Sequence, residues 1–369
     1  MIRKFYHAYF SQAGMGLDAA EEGLLACLKE MKGNKMSPIK IYIALAAVPP
    51  QGLAVYQQKL IKAVENALPG KTPVITAVVQ PPADNSPLLA EIWNVSENTV
   101  CRFLSFENLP YVLVNHQGFT ELWSSGFVAG SAEKAFEPLD RLLKHLNFTY
   151  DEIFRQWNYV GNILEENTIE GKTVQNYQYF NDIRALYYQN KQDREQYPAA
   201  TGIGMGTAGI CIDFVAVKQK SPHVLRNLPI RSGVQKDAYR YRDNVLVGES
   251  VVLAAKNAPL FERGRSLLTE EGGIAMISGT ASIKGEETVD LHDIRKQTQN
   301  TLRFIGDLLE NEPDARCRRA RLYVKRDQNP QDAVKIFRQA YPEDCVCTAV
   351  YADICRDNLL IEIETDWDL

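Results

Sequence analysis

The chain has 369 residues, of which 45% are hydrophobic and 24% charged, the composition of an ordinary globular protein. This composition excludes collagen-like and low-complexity architectures, and the net charge of −5, without a block of like charges, argues against nucleic acid as a partner. No run approaches the roughly 18 apolar residues that a membrane span needs. The N-terminal residues have no apolar core typical of a signal peptide, so we expect no membrane partner and a cytoplasmic protein.

Cysteine and histidine spacing argues against a metal site or a disulfide framework. The seven cysteines are an odd number and include no Cys-x-x-Cys pair, and the five histidines are scattered. Zinc and haem motifs need tighter spacing than this. We therefore expect no zinc or haem site.

Hydrophobic periodicity predicts helices and strands along the whole chain. The predicted helices are 17–31, 53–67, 132–146, 174–190, 294–309 and 333–340. The predicted strands are 39–48, 73–79, 88–93, 100–106, 111–116, 121–128, 154–163, 209–217, 239–242, 250–254, 273–283, 320–325, 347–352 and 359–364. Strands that gather between helices without strict alternation favour an α+β fold with mixed or antiparallel sheets.

The polar stretch at 146–151 is the best single boundary, giving modules 1–147 and 148–369. The last hundred residues resemble the RidA/YjgF-like, chorismate-mutase-like fold, in which helices pack on one face of a sheet and sites form where modules meet. Ser278–Ile283, Gly285, Glu287-Thr288 and Ile361–Glu364 carry that likeness. We expect 1–147 to be a degenerate module of the same kind. Modules arranged as a pseudo-trimer within one chain would give a monomer, and a homo-oligomer is the alternative.

A glycine-rich segment imitates a dinucleotide-binding motif. Gly204-x-Gly206-x-x-Gly209 would need a strand before it and a helix after it, because the pyrophosphate binds at a helix N-terminus. The preceding Tyr197–Ala200 is a poor strand, and the following Ile210–Val217 is strand-like. We interpret the segment as a glycine-rich turn that enters a strand, where backbone closely approaches a neighbouring strand or a ligand.

The last predicted strand places two carboxylates on one face. Alternation puts Glu362 and Glu364 on the face opposite Ile361 and Ile363. A solvated strand face is the ordinary explanation of such a pair. The strand is expected to close an interior sheet next to Arg356, however, and a carboxyl group between apolar walls and cations is a candidate general acid.

Helix 174–190 offers a candidate for binding a carboxylate. Phe180, Arg184, Tyr187 and Tyr188 share one helical face. Aromatic core packing with a snorkelling arginine explains the pattern structurally. In the functional interpretation, Arg184 and Tyr187 grip a substrate carboxylate.

Several segments together resemble the chorismatases, a family also described as pteridine-dependent dioxygenase-like that includes hydroxybenzoate synthases. The resemblance covers residues 150–369 in order, while the first 147 residues match only in general character. The segments are Arg155–Tyr159, Gln175–Gln178 with Phe180, Asn181 and Arg184, Tyr197–Gly204, Ile212–Phe214, Ser278–Ile283, Ala352–Arg356 and Leu359–Glu364.

The resemblance implies removal of pyruvate from chorismate without cofactor or metal. The family's catalytic glutamate falls on Glu362, as general acid, with Glu364 the weaker candidate. Chorismate is a dianion that needs cationic or phenolic partners, for which the candidates are Arg184, Tyr187, Tyr241 and Lys325. The product-determining positions fall on Gly279 and Cys355, and the glycine and cysteine there favour 3-hydroxybenzoate over 4-hydroxybenzoate or a dihydrodiol.

Departures from the family pattern leave alternatives open. Residues 243–257 replace a family stretch, although Pro259, Phe261 and Arg263 are retained, and Lys325 stands where many relatives carry an arginine. A RidA-like imine deaminase would need an arginine where this chain has Cys345–Cys347. A non-catalytic ligand-binding protein, and an enzyme acting on an amino analogue of chorismate, are further alternatives.

Overall fold

The computed structural model describes residues 3–188, 197–221, 224–341 and 344–369. Within these residues the chain forms six α-helices and three main β-sheets, of four, seven and six strands. Two hairpins of short strands lie outside the main sheets. The sheets contain both parallel and antiparallel pairs, so the predicted mixed α+β class is confirmed.

The first unit of the fold occupies residues 5–96. Its elements are β1 (Phe5–Phe10), α1 (Leu17–Gly33), β2 (Met36–Leu45), α2 (Leu53–Ala67), β3 (Val74–Val78) and β4 (Leu88–Ser96). The strand order is β1-β4-β2-β3, with β3 parallel to β2. The interior strand β2 is buried along almost its whole length, which explains its continuous apolar sequence.

The second unit follows and contains the seven-stranded sheet. Its elements are β5 (Val100–Phe106), β6 (Leu109–His116), β7 (Phe119–Ser124), β8 (Phe127–Ala129), α3 (Ala132–His145), β9 (Ile153–Gly161), β10 (Glu166–Ile169), β11 (Lys172–Gln175), α4 (Asn176–Tyr188), β12 (Ala199–Met205) and β13 (Ile210–Gln219). The strand order is β12-β9-β13-β7-β6-β5, and β8 also pairs with β13. The last two residues of the predicted helix 174–190 lie outside the described residues.

The third unit completes the chain. Its elements are β14 (Arg226–Ile230), β15 (Gly264–Thr269), β16 (Gly272–Ala281), β17 (Ile283–Lys284), β18 (Glu287–Thr288), α5 (Ile294–Leu308), β19 (Arg316–Val324), α6 (Pro330–Ala340), β20 (Val346–Tyr351) and β21 (Ile361–Asp368). The strand order is β14-β15-β16-β21-β19-β20. Residues 231–263, between β14 and β15, form an irregular segment with two short 3-10 turns.

The three units repeat one connectivity. Each contains one succession of strand, helix, strand, helix, strand and strand, interrupted in the second and third units by short strands. The strands concerned are β1, β2, β3 and β4 in the first unit, β7, β9, β12 and β13 in the second, and β16, β19, β20 and β21 in the third. In each unit these four strands lie in the spatial order first, last, second, third. In each unit the second and third strands are parallel, as a helical crossover requires. The described residues therefore contain the arrangement of a trimer of small modules within a single chain.

Each unit borders the next along a strand edge. In the first junction, β3 meets the second unit, where the Gly126 amide donates to the Ile75 carbonyl oxygen at 3.0 Å. In the second, β12 meets the third unit, where the Ala200 amide donates to Ser278 Oγ at 2.9 Å. In the third, residues next to β4 meet β20, where the Ala83 amide donates to the Ala349 carbonyl oxygen at 3.0 Å.

A buried cluster of the same composition ties each pair of neighbouring units. In each cluster a carboxylate on the last strand of one unit accepts hydrogen bonds from a threonine and a cation of the neighbouring unit. The clusters are Asp213 with Thr76 and Lys40, Glu364 with Thr201 and Arg155, and Glu91 with Thr348 and Arg321. Removing one partner of a buried ion pair costs about 3–5 kcal/mol, so these clusters fix how the units meet.

The helices lie on the outer faces of the sheets, and the inner faces share a core. Trp93, Trp157 and Tyr323, one from each unit, belong to a single buried cluster, and the two indole centroids lie 6.3 Å apart. On the outer face of the third sheet, Ile361 and Ile363 pack in a separate core with Ile305 of α5. The predicted packing of helices on one face of each sheet is therefore observed.

Three features differ from the sequence-based expectations. The boundary at 147/148 lies inside the second sheet, because β7, before it, pairs with β13, after it. The predicted strands 239–242 and 250–254 fall in the irregular segment, which is held mainly by side-chain and isolated backbone hydrogen bonds instead of a strand ladder. Residues 199–205 form the strand β12, in which Gly204 allows close approach, since a Cβ there would lie 2.7 Å from the Asp353 carbonyl oxygen.

Candidate active site

A cavity opens at the junction of the second and third units. The residues that line it come from the start of α4, from β12, from residues 241–263, from β16 and from the turn that leads into β21. Its polar lining residues include Gln175, Tyr177, Gln178, Tyr241, Arg263 and Arg356. The lining residues thus come from both the second and the third unit.

Glu362 projects into this cavity from β21. Its side chain is buried and faces Gly279 on the neighbouring strand β16, where an added Cβ would lie 1.9 Å from Glu362 Oε1. No side chain at position 279 is compatible with this position of the carboxyl group. The glycine predicted from the resemblance therefore has a steric role, which is to leave space for the carboxyl group.

The surroundings of Glu362 favour its protonated form. Burial and the negative charge of Glu364 raise the pKa of Glu362 to about 8, and Arg155 and Arg263 offset only part of this shift. A carboxylic acid with this pKa holds a proton at neutral pH, as a general acid must.

Glu364, two residues further along the same face, is kept ionised. Burial alone would raise its pKa, but Arg321, Arg319 and Arg155 lower it well below the usual range. Arg155 Nη2 donates to one carboxylate oxygen at 2.8 Å and Arg319 Nη1 to the other at 3.0 Å. Two carboxyl groups on one strand face thus have pKa values pushed in opposite directions, a pattern that separates an acid from a structural anion.

Two guanidinium groups flank the phenol ring of Tyr241. The Cζ atom of Arg263 lies 5.6 Å and that of Arg356 5.5 Å from the ring centroid. Arg263 also donates to the Tyr241 hydroxyl and, at 2.7 Å, to the Lys236 carbonyl oxygen. These two arginines are the cations that the cavity offers to an anionic ligand, and guanidinium groups bind carboxylates through two parallel hydrogen bonds.

Cys355 and Tyr177 complete the wall next to Glu362. Burial and the charge of Glu362 raise the pKa of the Cys355 thiol to about 12, so this wall is a neutral thiol. The Tyr177 ring covers Gly202, where a Cβ would approach it to 3.0 Å. Burial also raises the Tyr177 pKa, so the phenol keeps its proton.

The structure brings together four of the seven predicted site residues: Glu362, Gly279, Cys355 and Tyr241 line the cavity. The described lining does not include Arg184, Tyr187 or Lys325. Their surroundings explain their positions.

Helix α4 turns its aromatic face away from the cavity. The Tyr187 ring stacks on Phe136 of α3 at 4.7 Å, and Arg184 is buried with its Cζ 4.9 Å from the Tyr188 ring. The cavity instead receives Tyr177 and Gln178, from the first turn of the helix. Lys325, at the end of β19, donates to Asp357 Oδ1 at 2.6 Å.

Sequence reasoning assigned no ligand-binding role to Arg263 or Arg356. Arg356 lies in the segment Ala352–Arg356 that carries the resemblance to the chorismatases, and Arg263 is retained from the family pattern. The resemblance was therefore the signal that could have found both residues. Among the described residues, no group of three or more His, Cys, Asp or Glu side chains is arranged to hold a metal ion. No helix in the same part of the chain is both long and apolar enough to cross a membrane.

Comparisons with known proteins support these observations. The family model "Chorismatase FkbO/Hyg5-like, N-terminal" matches residues 101–216. A 3-hydroxybenzoate synthase from Streptomyces hygroscopicus is 31% identical over 233 residues, which are 59% of this chain and 64% of that protein. A crystal structure of a chorismatase covers 99% of both chains with a TM-score of 0.67 at 19% identity.

The chain is similar to chorismatases in sequence and has the chorismatase fold. A second relative, a chorismatase from Streptomyces hygroscopicus, is 26% identical over 259 residues, which are 67% of this chain and 70% of that protein. The alignment with the 3-hydroxybenzoate synthase spans less than two thirds of that protein's length. The family-model match begins at residue 101, so the sequence similarity extends upstream of residue 150, and the chorismatase fold covers the first unit as well.

Proposed function

We propose that this chain removes pyruvate from chorismate, with Glu362 as the general acid and 3-hydroxybenzoate as the aromatic product. The observation that carries the proposal is a buried glutamate whose pKa is raised to about 8, facing a cavity lined by two arginines. Relatives named 3-hydroxybenzoate synthase and chorismatase support the substrate and the product.

The chemistry suits the residues that line the cavity. Glu362 donates its proton to the methylene carbon of the enolpyruvyl group, and positive charge then develops at the adjacent ether carbon. The Glu362 carboxylate that remains next to the developing charge stabilises it. The bond between the ring and the ether oxygen then breaks, and this oxygen leaves as the ketone oxygen of pyruvate. The oxygen of the neighbouring ring hydroxyl bonds to the ring carbon in its place and returns its proton to Glu362, and the resulting epoxide isomerises to 3-hydroxybenzoate. Arg263 and Arg356 bind the two substrate carboxylates and so orient the enolpyruvyl group towards Glu362.

The ionised Glu364 supports this role at a distance. Its charge disfavours a second carboxylate on the same face and therefore keeps Glu362 protonated. Because Glu364 already accepts hydrogen bonds from Arg155, Thr201 and Arg319, it has little remaining basicity. We assign Glu364 a structural and electrostatic role and not that of a proton donor.

The hydroxybenzoate and dihydrodiol products differ in their water balance. Chorismate gives 3-hydroxybenzoate and pyruvate without net consumption of water, whereas a dihydrodiol with pyruvate consumes one water molecule. Gly279 and Cys355, next to Glu362, are the residues that the family resemblance links to the hydroxybenzoate product. The apolar side chains of Val245 and Leu246 add to the wall of the cavity.

Incubation of the purified chain with chorismate, without added metal or nucleotide, tests the proposal. Pyruvate is measured with a coupled dehydrogenase, and aromatic products are separated by chromatography. Equal amounts of pyruvate and 3-hydroxybenzoate are expected. Pyruvate with a dihydrodiol would retain the substrate but refute the product, and absence of pyruvate would refute the proposed reaction.

A further inference from the structure

The tip of the β17–β18 hairpin carries a buried carboxylate that the proposed reaction does not use. The Glu286 side chain accepts a hydrogen bond from Lys236 Nζ at 3.0 Å and one from the Arg242 backbone amide at 3.2 Å. It also accepts from Arg242 Nε. One carboxylate therefore holds both ends of residues 236–242, the segment that contains Tyr241.

Backbone contacts place this segment against the hairpin. The Lys236 amide donates to the Gly285 carbonyl oxygen, and the Gly285 amide to the Val234 carbonyl oxygen, both at 2.9 Å. At the far end of the segment, the Arg242 amide and side chain both donate to Glu286, as described above. Glu286 thus contacts the residue that follows Tyr241 in the chain.

Glu286 also contacts the other wall of the cavity. Its backbone carbonyl oxygen accepts a hydrogen bond from Arg356 Nη1 at 2.8 Å. Arg356 lies over one side of the Tyr241 ring, and Arg263 donates to the hydroxyl of the same residue. One residue outside the cavity lining thus touches both the segment that carries Tyr241 and the arginine beside it.

We propose that Glu286 is a positioning residue, whose side chain holds the segment carrying Tyr241 beside Arg356, in the arrangement that binds the substrate carboxylates. The proposal rests on the proposed function for the identity of the substrate. That Glu286 holds residues 236–242 in place is a statement about the protein without substrate. Glu286 itself does not line the cavity and takes no part in proton transfer.

If Glu286 acted only through its charge, its removal would change substrate binding in the opposite direction from a loss of positioning. Hydrogen bonding from Lys236, with further contributions from Arg242, lowers the Glu286 pKa to about 2, so the group is an anion at neutral pH. An anion close to the site repels a dianionic substrate. If charge alone mattered, its removal would tighten binding, whereas loss of positioning weakens binding.

The direction of the change in KM therefore tests the proposal. For Glu286→Ala we expect the KM for chorismate to rise at least about fivefold while kcat changes less than about twofold, because ground-state binding is lost uniformly. Glu286→Asp, which keeps the carboxylate one methylene shorter, should restore a large part of the loss. Glu287→Ala is the matched control, since it removes the same charge from the adjacent, exposed residue. An unchanged or lower KM in Glu286→Ala would overturn the proposal.

Hydrogen–deuterium exchange without substrate separates this proposal from the proposed function. In Glu286→Ala, peptides covering residues 236–242 should exchange faster than in the wild type and in Glu287→Ala, because the Arg242 amide loses its acceptor. Peptides from β19 and β21 should not change, which shows that the fold is intact. If residues 236–242 of Glu286→Ala exchanged at the wild-type rate, the positioning role would be refuted, even if the wild type proved inactive on chorismate. If the wild type were inactive on chorismate and Glu286→Ala still exchanged faster, only the proposed reaction would be refuted.

Discussion

Glu362→Gln removes the transferable proton from the cavity while keeping the size of the side chain. With a pKa of about 8, about 90% of the wild-type molecules carry the proton at pH 7 and about 10% at pH 9. The kcat/KM for pyruvate release should therefore be level below about pH 7 and fall tenfold per pH unit above about pH 8. In Glu362→Gln, turnover should fall at least about a hundredfold, and the remaining activity should lose this alkaline limb.

The same pKa shift predicts an effect on stability. Glu362 binds its proton more tightly in the folded chain than in the unfolded chain, where the carboxyl group has its ordinary pKa. Folding therefore takes up a proton between about pH 4.5 and pH 8, and the wild type loses stability as the pH rises through this range. Glutamine does not titrate. The free energy of unfolding of Glu362→Gln, relative to the wild type, should increase by about 3 kcal/mol between pH 5.5 and pH 8.5.

Two assays check these expectations independently. Pyruvate release is followed from pH 6 to pH 10 for the wild type, Glu362→Gln and the exposed control Glu287→Gln, and urea unfolding is compared at pH 5.5 and pH 8.5. Activity of Glu362→Gln within tenfold of the wild type would remove Glu362 as the acid. A gap in stability that does not widen with pH would show that the carboxyl group is ionised in the folded chain, and the reasoning from burial would then fail.

Three further substitutions test which residues around the cavity contribute to the reaction and which do not. Gly279→Ala should push the Glu362 carboxyl group aside by more than 1 Å and lower kcat about a hundredfold, while Gly306→Ala, where an added Cβ meets nothing within 4 Å, should leave pyruvate release unchanged. Equal activity of the two variants would contradict the steric argument. Arg263→Ala should raise the KM for chorismate at least tenfold, and a KM equal to that of the wild type would exclude Arg263 from carboxylate binding. Lys325→Ala should leave KM within twofold of the wild type, because Lys325 is bonded to Asp357 outside the cavity; a tenfold rise would restore it as a ligand.

Local sequence patterns were sufficient for most elements and for part of the site. Helices such as α1 and α5, and the alternation that places Glu362 and Glu364 on one face, depend on neighbouring residues and were predicted close to their observed bounds. The phase of α4 was also correct, but periodicity does not say which neighbour a face meets. The aromatic face packs on α3 instead of lining the cavity.

Long-range pairing explains what the sequence did not reveal. Arg319 and Arg321 alternate on β19 as on a solvated strand, yet both are buried against Glu91 and Glu364, which lie more than forty residues away. The polar stretch near residue 147 suggested a boundary because it is a loop, while the pairing of β7 with β13 passes over it. Strand β12 escaped prediction because its glycines and alanines have low β propensity, and its pairing with β9 supplies the missing stabilisation.

The three carboxylate–threonine–cation clusters also show where the three units have diverged. Two residues before the cluster carboxylate stand Leu89 in the first unit, Cys211 in the second and Glu362 in the third. A trimer of identical chains must carry the same residue at all three of its junctions. Joining three units in one polypeptide removes that constraint. In this chain a single junction has a titratable carboxyl group at that position, while the equivalent positions of the other two are filled by small or apolar side chains that serve only packing.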